Sequence, residues 1–143
     1  MTPALSTQLS IGYLSKATSA SFDDAGGEEI KNNRLPFTSK CNITAQADHV
    51  VKLSSGQFNL QVNADYQSEF YFDQNPFAKQ YDYILCNARV AWEKVDWTFE
   101  AWVKNLTDVK YSHLKCDLVD LFGMLQYFKG QARQISLDVH YEF

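Results

Sequence analysis

The longest chemical pattern in this chain is an alternation of apolar and polar residues between positions 58 and 72. Its apolar members are Phe58, Leu60, Val62, Ala64, Tyr66, Phe70 and Phe72, and only Ser68 interrupts the row. Successive side chains of a β-strand point to opposite faces, so the pattern predicts a strand with one apolar and one polar face. At about 15 residues, this strand is more than twice as long as a usual globular strand. Few folds accommodate such a strand.

The same alternation recurs elsewhere along the chain. Residues 5–16, 41–53, 84–92, 97–104 and 135–143 each repeat it, and the last of these segments ends on an aromatic residue. The sequence therefore predicts an all-β fold, an antiparallel up-and-down meander of about six long strands. The helical spacing of some apolar residues within 109–133 predicts, more weakly, a short helical turn. Those residues are Leu118, Val119, Leu121, Phe122, Leu125 and Phe128.

The connections between these strands alternate in length. Long loops at about 18–39 and 109–133 and a moderate loop at 73–80 alternate with tight turns near Ser55 and Lys94. In an antiparallel meander this places the short turns at one edge of the sheet and the long loops at the other. Outer-membrane β-barrels have short periplasmic turns and long extracellular loops, so the pattern favours a barrel wall that spans a membrane.

Aromatic residues collect where the predicted strands end. Phe58, Trp92, Trp97, Tyr141 and Phe143 fall near the short turns, whereas Phe70, Phe72, Tyr81 and Tyr83 fall near the long loops. A tilted strand from Phe58 to Phe70 covers roughly 30 Å, which suits an apolar band of ~25 Å between two aromatic girdles. We interpret Phe58, Phe70, Phe72, Trp92 and Trp97 as membrane-interface residues. Two alternatives remain open: a small outer-membrane barrel or porin piece, and a soluble β-barrel or sandwich that binds a small apolar ligand.

Composition and motifs argue against several other functions. A net charge of −4 disfavours a nucleic-acid partner. The sequence contains no nucleophile elbow, no paired-histidine zinc motif and no phosphate-binding loop, so we expect neither catalysis nor a cofactor. His113, Cys116, Asp117 and Asp120 have no spacing typical of a metal site. The acidic cluster near Asp23 and Asp24 is interpreted as a solvated loop.

Several motifs together resemble the TonB-dependent outer-membrane receptors. The most specific is Asn105-Leu106-Thr107-Asp108 followed by Tyr111, and it stands with the segments 32–37, 65–73 and 85–90 and with the terminal aromatic strand. The resemblance implies a 22-stranded barrel, of which residues 1–143 are a C-terminal segment that lacks the plug and the N-terminal strands. Met1 is then expected to be an internal or misassigned start.

The resemblance also implies a location, a cargo and partners. The location is the outer membrane of a Gram-negative bacterium, and the cargo is an iron–siderophore complex or a similar nutrient complex. The expected partners are membrane lipid, the remaining strands and plug of the parent receptor, TonB through that plug, and the barrel assembly machinery. An assembly signal is expected in the C-terminal strand, at Leu137, Val139, Tyr141 and Phe143.

Overall fold

The computed structural model describes residues 4–16, 18, 22–23, 29–30, 35–72, 78–118 and 123–143. The expected loop residues Asp24, Gly26, Asn75 and Asp120 lie outside the described residues, as do 32–34 of the family-like segment before the second long strand. The strands are β1 (Ala4–Tyr13), β2 (Phe22–Asp23), β3 (Glu29–Ile30), β4 (Cys41–Leu53), β5 (Gly56–Gln67), β6 (Phe70–Tyr71), β7 (Lys79–Gln80), β8 (Tyr83–Lys94), β9 (Trp97–Lys104), β10 (Ser112–Leu118), β11 (Met124–Lys129) and β12 (Gln134–Tyr141).

Six long strands form one antiparallel sheet in the order β1-β4-β5-β8-β9-β12, which confirms the predicted meander. The register is continuous across the sheet: Val62 lies opposite Ala47 on one side and Ala88 on the other. The tight turns β4–β5 and β8–β9 lie at one end of the strands, and the long connections lie at the other end. We call the row of strand ends with the tight turns the short-turn edge, and the opposite row the loop edge.

The strand predicted over 58–72 is shorter in the structure and ends at Gln67. Ser68 breaks it: its hydroxyl accepts a hydrogen bond from the Cys41 amide, and its own amide donates to the Cys41 carbonyl. After this closure the chain turns away, and Phe70–Tyr71 pairs with β7 instead of extending β5. The single polar interruption in the apolar row therefore marked the real end of the strand.

The predicted helical turn is wrong where the structure describes it. Leu118 lies in β10, and Leu125 and Phe128 lie in β11. Val119, Leu121 and Phe122 lie outside the described residues. β10 and β11 pair in an antiparallel hairpin, with Lys115 opposite Tyr127 and Cys116 opposite Gln126. Within β10, Leu114 and Cys116 alternate with His113 and Lys115, a two-residue period that outweighs the weaker helical spacing.

The final strand is also shorter than predicted. It ends at Tyr141, and the amide of Glu142 donates a hydrogen bond to the Asp96 carbonyl in the turn after β8. Within the described part of the chain, no helix has the length and apolar character needed to cross a bilayer.

Candidate functional site

The first face of the six-stranded sheet is apolar and uncovered. Val62 is 52% exposed although it lies near the middle of a central strand, and Ile84 is 48% exposed. On the outer strands β1 and β12, Leu9 and Leu137 are even more exposed, at 66% and 79%. No second layer covers this face among the described residues. A contiguous apolar surface of this kind marks an interface with another protein or with lipid.

A ladder of six aromatic rings crosses the apolar face at the short-turn edge. Neighbouring ring centroids are 4.7 to 6.1 Å apart along the series Phe58, Trp92, Phe99, Trp97, Tyr141 and Phe143. The strand register produces the ladder, because Phe58 lies opposite Trp92 and Trp92 opposite Phe99. The sequence interpretation named five members of the ladder and did not single out Phe99, although its phase in β9 indicated this face.

Gly56 lets the Trp92 ring lie close to the β4–β5 turn. Its φ is +143°, and a Cβ there would fall 2.5 Å from the Glu93 carbonyl oxygen and 2.7 Å from the Trp92 indole nitrogen. Any larger residue would have to displace the backbone or the ring. The glycine therefore allows the aromatic ladder to begin at the turn.

The second face of the sheet carries a network of polar side chains. The Arg89 guanidinium pairs with the Glu100 carboxylate at 2.5 Å, and the Trp102 indole donates to Asp138 at 3.0 Å. Further cross-strand hydrogen bonds join Thr44 to Asp65, Asn59 to Glu93 and Tyr83 to Gln67. A shallow depression of about 420 Å³ lies among Asn87, Arg89, Glu100 and Lys104. This face offers hydrogen-bonding groups to water or to a polar partner.

The Asn105 turn, residues 105–108, holds the loop edge together. Asn105 is 5% exposed and has a φ of +51°. Its side-chain amide donates to the carbonyls of Val109 and Gln131, both at 3.0 Å, and its side-chain oxygen accepts the Val109 amide at 2.9 Å. Asparagine tolerates this left-handed backbone and offers both a donor and an acceptor. Asn105 therefore joins the end of β9 to the segment that enters β12.

Asp108 makes the second bridge of this turn. Its carboxylate accepts hydrogen bonds from the Lys110 ammonium at 2.7 Å and from the Arg133 amide at 3.0 Å. The Lys110 hydrogen bond, together with the Arg133 amide, holds the pKa of the Asp108 carboxyl below its ordinary 3.8. The Leu106 amide donates to the Cys86 carbonyl at 2.7 Å, whereas Thr107 is exposed. Within the motif, Asn105 and Asp108 thus make the bridging contacts.

Tyr111, the last residue of the same motif, packs against the loop edge. Its ring stacks on Tyr83 with centroids 5.0 Å apart, and its carbonyl accepts the Gly130 amide at 2.8 Å. A Cβ on Gly130 would collide with the Tyr111 ring, so the glycine permits the close approach. The motif is therefore a structural brace, with its residues brought together at one point of the loop edge.

Phe70 and Phe72 do not lie where the interface interpretation put them. They are 7% and 4% exposed and form a small core with Ala78, against which Tyr83 and Leu114 pack. The Phe37 ring meets the Phe72 ring edge-on at 5.6 Å. Because the chain leaves the sheet at Ser68, both phenylalanines turn into this cluster instead of continuing the apolar face. Their side chains are enclosed by protein.

His113 and Cys116 lie in β10, in the described part of the chain. No group of three or more His, Cys, Asp or Glu side chains there is placed to hold a metal ion. His113 instead packs edge-on against the Tyr111 ring, at 5.2 Å between centroids. Cys41, Cys86 and Cys116 are free thiols.

No family model matches the sequence, and no curated protein matches it. Among solved structures, the chain is similar to the ferric yersiniabactin uptake receptor FyuA from Yersinia pestis, with a TM-score of 0.72 and 17% sequence identity. The match covers 79% of this chain and 18% of that chain, so this chain spans a small part of the receptor's length. At this identity the likeness shows the fold: the six-stranded antiparallel sheet matches the barrel region of that receptor.

Proposed function

We propose that this chain forms part of the wall of a TonB-dependent receptor in the outer membrane of a Gram-negative bacterium. In this proposal the apolar face contacts lipid and the polar face lines the barrel interior. The short-turn edge lies at the periplasmic side, and the loop edge lies outside the cell. The chain contributes structure and loop surface, and we assign it no catalytic residue.

The difference between the two faces of one sheet is the observation that carries this proposal. An apolar face with an aromatic ladder at its edge suits the hydrocarbon layer and its boundary with water. The opposite face keeps its polar groups in cross-strand hydrogen bonds, as the wall of a hydrated interior would. A soluble sandwich would cover the apolar face with a second sheet, and the described residues provide none.

The two outer strands of the sheet support a larger barrel. β1 and β12 each pair on one side alone within the sheet. Unpaired strand edges are very unfavourable in lipid, because backbone amides and carbonyls find no partner there. We therefore propose that residues 1–143 belong to a larger barrel, whose remaining strands pair with β1 and β12. The resemblance to TonB-dependent receptors implies 22 strands in total. A plug domain would lie against the polar face.

The cargo and the energy source of the parent receptor are part of the same proposal. The similar solved receptor takes up ferric yersiniabactin, and the motif around Asn105 resembles the same family. We propose an iron–siderophore complex or a similar nutrient complex as cargo, with transport driven by TonB through the plug.

Two adjacent residues of β5 test which face contacts lipid. Val62 lies on the apolar face and Gln61 on the polar face, next to Arg89 and Asp48 across the sheet. In the parent receptor, Val62→Lys is expected to reduce insertion strongly, since a cation at the lipid midplane costs about 2–4 kcal/mol. Gln61→Lys adds the same charge at the same depth and is the matched control.

Heat-modifiable, folded receptor in outer-membrane fractions is the measurement. The proposal expects depletion for Val62→Lys and near wild-type levels for Gln61→Lys. Equal accumulation of the two variants would contradict a lipid-facing Val62, and loss of Gln61→Lys alone would reverse the assignment of the faces.

The terminal strand is proposed as the signal that the barrel assembly machinery recognises. Phe143 ends the aromatic ladder and is fully exposed, in contact with the Tyr141 ring at 5.1 Å. Phe143→Asp is expected to reduce folded receptor far more than Glu142→Gln, which preserves every apolar residue. If Phe143→Asp accumulates like the unchanged receptor, the terminal aromatic is not part of the signal.

A further inference from the structure

A cleft of about 400 Å³ lies at the loop edge, between the segment that precedes β8 and the β10–β11 hairpin. Four tyrosines line it: Tyr81, Tyr83, Tyr111 and Tyr127. Tyr83 and Tyr111 are stacked at 5.0 Å, while Tyr81 and Tyr127 are 68% and 53% exposed. One stacked pair of rings and two exposed rings therefore line the cleft. We call this cleft the tyrosine–lysine cleft.

The charged residues of the cleft are mostly cations. Lys110, Lys115 and Lys129 line it, and Asp82 is the single acid in the lining. The whole chain carries a net charge of −4, so this cationic surface contrasts with the rest of the protein. A cationic surface on an acidic chain attracts anions selectively.

The three lysines differ in the contacts that their ammonium groups make within the protein. Lys110 pairs with Asp108 at 2.7 Å. Lys115 donates to the Lys79 carbonyl and lies 5.5 Å from the centre of the Tyr127 ring. The Lys129 side chain is exposed and makes no ion pair or hydrogen bond with another described residue. An ammonium group has three donors, so Lys115 and Lys129 keep donors for a ligand.

Partial burial of Lys115 also favours an anion in the cleft. Burial lowers the pKa of the Lys115 ammonium from its ordinary 10.5. A partly buried cation is stabilised by a nearby negative charge, so an anion in the cleft offsets part of the desolvation of Lys115.

Resting on the proposed function, we infer that the tyrosine–lysine cleft binds a planar aromatic anion that carries a carboxylate or phenolate group. The open rings of Tyr81 and Tyr127 provide faces for stacking, and Lys115 and Lys129 provide the positive charge. A neutral aromatic molecule uses only the rings, and a non-aromatic anion uses only the lysines. The cleft therefore selects the ligand that uses both.

Three small probes separate these contributions: salicylate, cyclohexanecarboxylate and benzamide. The parent receptor is folded in detergent micelles, and its lysines are reductively methylated with ¹³C, which preserves their charge. Titration with salicylate is expected to shift the Lys115 and Lys129 methyl resonances in a saturable manner. Cyclohexanecarboxylate and benzamide are expected to bind several-fold more weakly. Lys52 lies in β4 at the short-turn edge, far from the cleft. A shift of its methyl resonance therefore reports adsorption of the probes to the micelle.

Matched variants identify the groups that bind. Lys129→Gln is expected to weaken salicylate binding about threefold to fivefold, as for loss of one exposed charge pair, and Lys129→Arg is expected to retain it. Tyr127→Leu is expected to weaken salicylate but not cyclohexanecarboxylate, while Tyr127→Phe keeps both. Lys52→Gln removes the same charge far from the cleft and should leave affinity unchanged.

Two results would overturn the inference. One is a Lys52 shift as large as that of Lys129, which would mean nonspecific adsorption. The other is equal affinity for salicylate and cyclohexanecarboxylate, which would remove the aromatic selectivity. Either result in a receptor that inserts as expected rejects the cleft and leaves the proposed function standing. Failure of the Val62 and Gln61 pair rejects the proposed function instead, whatever the lysine resonances show.

Discussion

Replacement of Asn105 by alanine is expected to open the loop edge locally. The variant loses the three side-chain hydrogen bonds that join this turn to Val109 and Gln131. At roughly 1 kcal/mol for each neutral bond, they stabilise the turn by about 3 kcal/mol. Alanine at a φ of +51° adds about 1 kcal/mol of backbone strain. The expected local destabilisation is thus about 3–4 kcal/mol, less wherever water replaces a lost partner.

Amide hydrogen exchange at Val109 measures this directly, because that amide donates to the Asn105 side chain. In the parent receptor in micelles, Asn105→Ala is expected to speed its exchange by about two to three powers of ten, since 1.4 kcal/mol corresponds to one power of ten. Asn105→Gly keeps the left-handed backbone and removes the bonds, so its effect should be smaller by about the strain term. Thr107→Ala is the control, because Thr107 is exposed and should change exchange little.

Exchange at Val109 within threefold of the unchanged chain would show that the Asn105 bonds do not stabilise the turn. Identical rates for Asn105→Ala and Asn105→Gly would show that the positive φ contributes no strain.

Three further outcomes are expected. Gly56→Ala should destabilise the sheet and change Trp92 fluorescence, because a Cβ there would overlap the Glu93 carbonyl; Ser55→Ala is the neighbouring control. The lowered pKa of Asp108 means that its stabilisation is fully present above pH 3.8 and is lost as pH falls through the lower folded-state value. The Arg133 amide donates to Asp108. Its protection factor, the exchange rate of an unstructured peptide at the same pH divided by its own rate, should therefore fall in acid, and Asp108→Asn should flatten that dependence. In plain buffer the chain should not elute as a sharp monomer in size-exclusion chromatography, because its apolar face is exposed; a monomer that unfolds cooperatively would contradict this.

Much of the sheet could be predicted from local pattern. The predicted bounds 41–53 and 97–104 coincide with β4 and β9, because a two-residue period is written into neighbouring positions and needs no distant partner. Two of the five strand pairings followed from the same source, since tight turns force β4 to pair with β5 and β8 with β9. Within these strands, the alternation also assigned residues to one face or the other before any contact was known.

The loop edge could not be predicted in this way. The end of β5 depends on a bond between Ser68 and Cys41, and the Asn105 turn depends on Gln131, far along the chain. Such contacts form only when segments distant in sequence come together. The spacing of apolar residues within one segment therefore does not predict them. For the same reason, the sequence shows only that the motif residues resemble those of a family. It does not show the hydrogen bonds that these residues make.

The alternation along each strand determined that one face of the sheet is apolar and the other polar, because side-chain direction in a strand is a local property. Only the tertiary structure decided that Phe70 and Phe72 leave the apolar face for the loop-edge core, and that Tyr83, Tyr111 and Tyr127 line one cleft with the lysines. These arrangements depend on how the long connections pack on one another, which side-chain periodicity does not specify.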